Sequence, residues 1–192
     1  MKLIVGLGNP GSEYERTRHN VGSTFVRAFV GAHDIVMQAK SKFHADVAEL
    51  SIAGQKVLFV VPTTYYNSSG EAVQATASFY KIAPEDILVI HDELALPFGT
   101  IRTRYGGSDA GNNGVKSVTA HVGEGTARIR IGIYNELREK MDDADFVLSR
   151  FSSDEQTKIL QLAPVITSCI GDFIQGTLPH TTHNPLKTNP AS

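Results

Sequence analysis

One cysteine and no tryptophan occur among the 192 residues. A single thiol excludes a disulfide framework and a Cys-x-x-Cys metal knuckle, and Cys169, in an apolar helical stretch, reads as a small core side chain. Long apolar runs are also missing. No stretch approaches the roughly 20 residues that span a bilayer, and the apolar segment after Lys2 is shorter than the roughly 7–15 residues of a secretory core. The expectation is a cytoplasmic protein with no membrane partner. Neither sign of charge is in excess: Lys plus Arg total 18, Asp plus Glu total 20, and the net charge is −2. Bulk charge therefore cannot drive nucleic-acid binding, and any RNA partner requires cations gathered locally. What is present, 41% hydrophobic and 20% charged residues, suits one globular domain. A chain of this length buries roughly 70% of the surface its unfolded form exposes, so its core needs no staples.

Strand and helix patterns alternate along the chain. Residues 2–7, rich in Leu, Ile and Val and broken by glycine, predict a buried strand feeding a polar loop over 8–18. A helix follows from about residue 20, with Val21, Phe25, Ala28 and Phe29 on one stripe. Segments 43–52 and 56–61 flank Ala53-Gly54-Gln55 as a hairpin. Val73, Ala77 and Tyr80 mark a helix from residue 67 or 69 to about 81, ended before Pro84. The apolar run 87–90 predicts a short central strand that delivers His91-Asp92-Glu93 at its carboxyl end. Segments 100–105 and 127–133 read as strands; between them a glycine-rich loop opens a helix over 113–122. Segments 142–151 and 153–177 read as helices, the second with Ser153 and Gln156 as a capping box and Pro164 as a kink. The fold class expected is α/β: a single domain over 1–178, a mixed twisted sheet flanked by helices on both faces. A disordered tail is expected over 179–192.

Gly6-Leu7-Gly8-Asn9-Pro10-Gly11 satisfies G-x-G-x-x-G after a strand, the dinucleotide pattern. In that fingerprint the third glycine lies in the first turn of a helix whose free N–H groups hold a pyrophosphate. Here the helical period begins well downstream and Pro10 removes a donor, so a ligand-free turn accounts for the match as well.

Polar clusters fall where strands end or helices begin: Asn9, Thr17-Arg18-His19-Asn20, Tyr65-Tyr66-Asn67, His91-Asp92-Glu93 and Asn112-Asn113. Ligands of α/β sheets sit outside the carboxyl ends of strands, which would bring these clusters to one crevice. A loop His with a distant Asp makes a dyad in which the carboxylate fixes the tautomer and the other ring nitrogen activates water. Asparagine amides hold an oxyanion or a substrate amide without titrating. Local readings compete: His19 as a structural residue at a helix start, Asp92 as a turn or capping carboxylate, and Asn20 and Asn67 as N-caps. His91 and Asp92 point to opposite sides of a strand, so at most one enters the crevice. Metal-assisted hydrolysis lacks ligands, because H-E-x-x-H and Cys/His spacings are missing. Acyl-enzyme chemistry lacks a G-x-S-x-G serine, and a G-x-x-x-x-G-K-[ST] phosphate loop is missing too. No metal and no cofactor are expected, and direct attack by water with a His base remains.

Arg102 and Arg104 share one strand face, and Arg128 and Arg130 repeat the pattern. With Lys116 and the amides of the helix opening near Asn113 they suit a positive saddle for phosphates, although a solvated strand face explains alternating arginines equally.

Five segments, IVGLGNPGSEYERTRHNVG (4–22), VVPTTYYNSSGEAV (60–73), ILVIHDELALPFG (87–99), GGSDAGNNGVKSV (106–118) and RIRIGI (128–133), resemble in order those of bacterial-type peptidyl-tRNA hydrolases. The resemblance runs from Met1 to about Phe151 and more loosely beyond. It implies an enzyme that cleaves the ester joining a peptide to the terminal ribose of tRNA, a metal-free monomer whose partner is peptidyl-tRNA, bound by acceptor arm and peptide. On the same resemblance His19 matches the general base and Asp92 the residue that orients it. Asn9 and Asn67 match amides that hold the peptide main chain, Asn113 matches the second residue of an HNG element in the same crevice, and Tyr65 and Tyr66 form wall. Arg102, Arg104 and Arg130 occupy places where relatives present basic side chains to tRNA.

The sequence departs from that pattern in three places. GGSDAGNNG replaces GGHGGHNG, so Asn112, which cannot gain a proton, stands for a His, and Asp109 adds negative charge. Tyr66 stands where Met is usual, and Tyr134-Asn135-Glu136 replaces glycine-His-Pro. A non-catalytic tRNA-binding relative on the same scaffold is the alternative; it would bind in a salt-sensitive way without cleaving the ester.

Overall fold

In the computed structural model, which describes residues 1–187, consecutive residues of the central strands are buried on both sides, the mark of a sheet covered above and below. In β1 (Lys2–Gly6) Ile4 enters one core while Leu3 and Val5 enter the other. Strand β5 (Ile87–Pro97) repeats the division, with Leu88 and Ile90 against Ile87 and Val89. Between β1 and β5 lie α1 (Val21–Gly31), β2 (Gln38–Lys40), β3 (Ala45–Ile52), β4 (Gln55–Pro62) and α2 (Ser69–Tyr80). After β5 come β6 (Ile101–Tyr105), α3 (Asn113–Val122), β7 (Ala127–Tyr134), α4 (Asp143–Leu148), α5 (Ser153–Leu160), α6 (Ala163–Gln175) and β8 (Thr181–His183). The strands hydrogen-bond in the order β2-β3-β4-β1-β5-β7-β6-β8. The four central strands are parallel and the outer pairings antiparallel, which is the mixed α/β sheet expected. Helices α1, α4 and α6 cover one face, and α2 and α3 the other.

Several boundaries differ from expectation. Strand β5 does not stop at Ile90 but continues through His91, Asp92 and Glu93, which are 1%, 1% and 3% exposed; buried polar residues extend a strand that an apolar pattern ends. The capping box at α5 is made by Ser152 and Glu155, one residue earlier than Ser153 and Gln156. The long last helix breaks instead of kinking. Helix α6 restarts with Pro164 in its first turn, where a missing N–H costs no helical bond, and the two helices meet at 41°. Among the described residues no single helix is long and apolar enough to cross a membrane. The tail read as disordered from residue 179 adds β8 to the edge of β6, where the Thr103 hydroxyl donates to Pro179 O and Arg102 Nε donates to Thr182 Oγ1 at 3.0 Å; residues 188–192 lie outside the described residues. Cys169 is a core side chain, its thiol pushed up to about 11 by burial and then by Asp172.

The glycines of the dinucleotide-like pattern set how close α1 lies to the sheet. A Cβ at Gly6 would meet Gly22 O at 2.6 Å, and a Cβ at Gly22 would collide with Ile90 O. At that spacing Ser23 N–H donates to Leu7 O (2.9 Å) and Leu7 N–H to Ile90 O (3.0 Å), which pins the start of α1 beside the ends of β1 and β5. Gly22→Ala is therefore expected to lower stability by about 1–3 kcal/mol through overpacking, read as a fall of several degrees in Tm by thermal denaturation.

Candidate active site

The chain leaving β1 reaches β4 on one side, and the chain leaving β4 crosses through α2 to β5 on the other, so the winding reverses at β1. Crevices form at such points, outside the carboxyl ends of the strands. A cleft of about 530 Å³ opens there. Asn9 follows β1, His19 precedes α1, Tyr65, Tyr66 and Asn67 follow β4, Asp92 and Glu93 come from β5, and Asn112 and Asn113 open α3. Val147 and Leu148 of α4, with Leu94, supply an apolar wall.

His19 lies in a single 3-10 turn, Arg18–Asn20. Its Nδ1 is 2.9 Å from Asp92 Oδ2, and its ring stacks on Tyr66 with centroids 3.5 Å apart and planes inclined by 15°. The carboxylate is an acceptor, so the proton sits on Nδ1 and the Nε2 lone pair is left without a protein partner among the described residues. Tyr66 is more than wall. It is buried, its hydroxyl donates to Asp92 Oδ1 at 2.5 Å, and burial, then the Asp92 charge, holds its phenol well above the ordinary value of 10.0. Asn112 caps α3, with Oδ1 accepting from Val115 N–H at 3.0 Å, and its Nδ2 donates to Tyr66 Oη (3.0 Å) and Asp92 O (3.2 Å).

The asparagines divide into clasp and wall. Asn20 occupies the N-cap position of α1, but its side chain turns to the loop, accepting from Asn9 N–H (2.8 Å) and donating to Asn9 O (2.9 Å). Asn9 Oδ1 accepts from Tyr66 N–H at 2.8 Å, which leaves its NH2 group for a ligand. Asn67 does not cap α2, whose N-cap is Ser68. Asn67 and Asn113 are exposed on the cleft wall, and Tyr65 stands at the mouth, 63% exposed. His91 is buried behind the cleft with Nδ1 2.7 Å from Asp92 O, and desolvation lowers its pKa. Only Asp92 of that pair lines the cleft, as strand alternation requires.

The four arginines share a face, since Arg102 lies opposite Arg130 and Arg104 opposite Arg128 across β6 and β7. They are not equivalent, and Arg130 is already engaged. Its Nε and Nη2 both donate to Glu93 Oε2, at 2.9 and 2.8 Å, with side chains 12% and 3% exposed. A carboxylate on the neighbouring strand neutralises it, a partner that the pattern within one strand does not reveal. Arg128 is buried, donating to Ser108 O and Thr119 Oγ1, and so holds the glycine-rich loop. Arg104 lies under Gly107, where a Cβ would collide with its guanidinium. Arg102, Arg104 and the exposed Lys116 of α3 have no carboxylate partner among the described residues. Among those residues no group of three His, Cys, Asp or Glu side chains is placed to hold a metal ion.

Arg18, beside His19, stands in the polar cluster over 17–20, but sequence reasoning gave it no role. It is 1% exposed and donates in bidentate fashion to Glu155 (3.0 and 2.9 Å) and through Nε to Ser149 Oγ (3.1 Å). Its guanidinium lies 4.8 Å from the Phe146 ring centroid and 4.9 Å from that of Phe151. No local signal announces a partner 137 positions away.

Comparison with known proteins agrees with this architecture. The sequence model of the family described as Peptidyl-tRNA hydrolase matches residues 3–190. A protein named Peptidyl-tRNA hydrolase from Rickettsia africae (strain ESF-5) is 40% identical over 178 residues, 93% of this chain and 96% of its own length. One of the same name from Marinomonas sp. (strain MWYL1) is 40% identical over 179 residues, 92% of each chain. The crystal structure of peptidyl-tRNA hydrolase from Acinetobacter baumannii matches with a TM-score of 0.85 at 38% identity, over 93% of this chain and 91% of that one. A peptidyl-tRNA hydrolase complex with N-propanol matches with the same score, identity and coverage.

Burial acts to raise the Glu155 pKa, but the bonds from Arg18, Ser152 and Asn135 outweigh it and hold the carboxyl below its ordinary 4.5. The sign follows: this stabilisation is present above about pH 4.5 and is lost as pH falls through the lower, folded value. Glu155→Gln leaves Arg18 a buried charge with weakened partners, at a cost of about 3–5 kcal/mol. Tm at pH 7 should fall by roughly 10 °C, and its decline between pH 4.5 and 2.5 should be shallower than in the parent, as melting curves across that range would record.

Proposed function

This chain belongs to the peptidyl-tRNA hydrolase family, and from that premise we propose that His19 is the general base, and Asp92 the carboxylate that orients it, in hydrolysis of the ester between a peptide and the terminal ribose of tRNA. The observation that supports this most is the 2.9 Å contact from His19 Nδ1 to Asp92, which leaves Nε2 available in a cleft also lined by Asn9, Asn67 and Asn113. The substitutions at Tyr66 and Asn112 leave that contact intact, so a purely binding role has no observation in its favour.

A water held by Nε2 gives up its proton as its oxygen bonds to the ester carbonyl carbon. Asp92 remains ionised and stabilises the imidazolium as it forms. The NH2 group of Asn9 donates to the developing oxyanion, an interaction whose loss typically costs roughly 10²–10³ in rate. Collapse breaks the bond to the ribose oxygen, which takes the proton from Nε2, so water has divided between peptide acid and tRNA hydroxyl. Asn67 and Asn113 hold the peptide main chain, with Tyr65 and Tyr66 as wall. Arg102, Arg104 and Lys116 bind tRNA phosphates; Arg130, paired with Glu93, does not belong to that set. We further propose that the enzyme acts as a monomer in the cytoplasm, without metal, cofactor or protein partner.

In a purified peptidyl-tRNA assay His19→Ala should lower kcat by about 10²–10⁴ while filter binding of tRNA stays at the parent affinity; parental turnover would exclude His19 as base. Arg104→Ala should raise KM several-fold with kcat within about twofold, because a phosphate contact made equally in ground and transition states affects capture alone.

A further inference from the structure

Two side chains behind the His19–Asp92 contact take no part in the steps above. Tyr66 is 3% exposed, lies flat against His19, and donates its hydroxyl hydrogen to Asp92 Oδ1, the oxygen His19 does not use. Asn112 donates in turn to Tyr66 Oη, while its own Oδ1 is fixed by Val115 N–H at the first turn of α3. A hydroxyl that accepts a hydrogen bond is a better donor, so successive bonds in such a line polarise one another.

We propose that Asn112, Tyr66 and Asp92 form one positioning device that sets the plane and the basicity of His19 in ester hydrolysis, an inference that rests on His19 being the base. A carboxylate whose second oxygen is satisfied by a phenol attracts an imidazolium less strongly than one left bare. Removing the phenol would therefore strengthen the hold of the Asp92 carboxylate on an imidazolium. The stacked ring prevents the imidazole from rotating out of line with Oδ2. The phenol keeps its hydrogen throughout, since burial and the neighbouring charge disfavour its ionisation. The other ionisable groups nearby are otherwise engaged: Glu93 pairs with Arg130, Asp143 on the far wall pairs with Arg138, and His91 faces the Asp92 carbonyl. Tyr14 and Tyr65 line the cleft without a bond to the Asp92 carboxylate.

Tyr66→Phe keeps the ring and removes the donor. The acidic limb of kcat/KM against pH should move up by about 0.5–1 unit, the scale of one typical net hydrogen bond. At pH 7 kcat should fall by at most about three- to tenfold, the limit that such a shift sets, with KM within about twofold, a split that a loss of packing alone would not produce. Asn112→Ser retains an N-cap oxygen but removes the amide donor; it should move the limb the same way by less, and it provides the same test should Tyr66→Phe not fold. Because Asn112 acts through the phenol, the double variant should shift no further than Tyr66→Phe. A parental acidic limb in both single variants, or additive shifts in the double, would overturn the device while an inactive His19→Ala left the base assignment standing. Parental turnover in His19→Ala would overturn both.

Discussion

The contact between His19 Nδ1 and Asp92 Oδ2 joins positions 73 apart, and the rest of the site holds its two ends in register. The Asp92 end is rigid because β5 lies between β1 and β7 in the parallel centre of the sheet. The His19 end is a single 3-10 turn with no stiffness of its own and must be anchored from outside. Gly22 lets α1 approach β5 to backbone contact, and Leu7 and Ser23 complete that seam by hydrogen bonds. From the other side Arg18 ties the turn to α4 and α5. Burying a guanidinium costs several kcal/mol unless its partners are well placed. Here a bidentate carboxylate, a serine hydroxyl and two aromatic rings supply them. Stability and site geometry are thus the same interactions seen from two sides.

The fold was legible wherever burial imposes a period. Val21 and Phe25 announce α1, whose buried stripe continues through Val26 and Val30 while the expected Ala28 is exposed, and the residues of β1 and β5 announce strands covered on both faces, because helix and strand periods follow from geometry alone. Legibility fails where a residue's partner is distant in sequence. Strand β2 is three exposed residues held by β3, and β8 is three residues held by β6; neither has an apolar pattern to read. The end of β5 was missed because the buried residues that follow Ile90 directly, His91, Asp92 and Glu93, are polar.

The site divides in the same way. Asn9, His19, Tyr66, Asp92 and Asn112 stood out as polar residues at element ends, and the fold brings all five to one cleft. Asn20 carries an equally good local signal for helix capping, yet its side chain clasps Asn9, because a loop folded back over it offers a backbone N–H and C=O together. Arg130 read as a free cation because alternation along β7 cannot report a carboxylate on β5. In each case the residue type was informative and its partner was not, since the partner is a property of the topology.

That topology also places the two proposed recognition surfaces side by side. Glu93 lines the cleft and Arg130 belongs to the arginine face, so their ion pair lies on the boundary between them. By neutralising Arg130, Glu93 confines free positive charge to Arg102 and Arg104 on that face, in a protein whose net charge is −2. Screening limits each exposed cation to about 8 Å at physiological salt, so attraction is local and must be reinforced by contacts in the cleft. On the proposed assignment, a tRNA without an acyl group would meet only the cations, and a peptide ester without tRNA only the asparagines and the dyad. A molecule that carries both at the right separation would gain from both surfaces at once, and the proposed assignment thereby lets a site without bulk positive charge distinguish peptidyl-tRNA from its two halves.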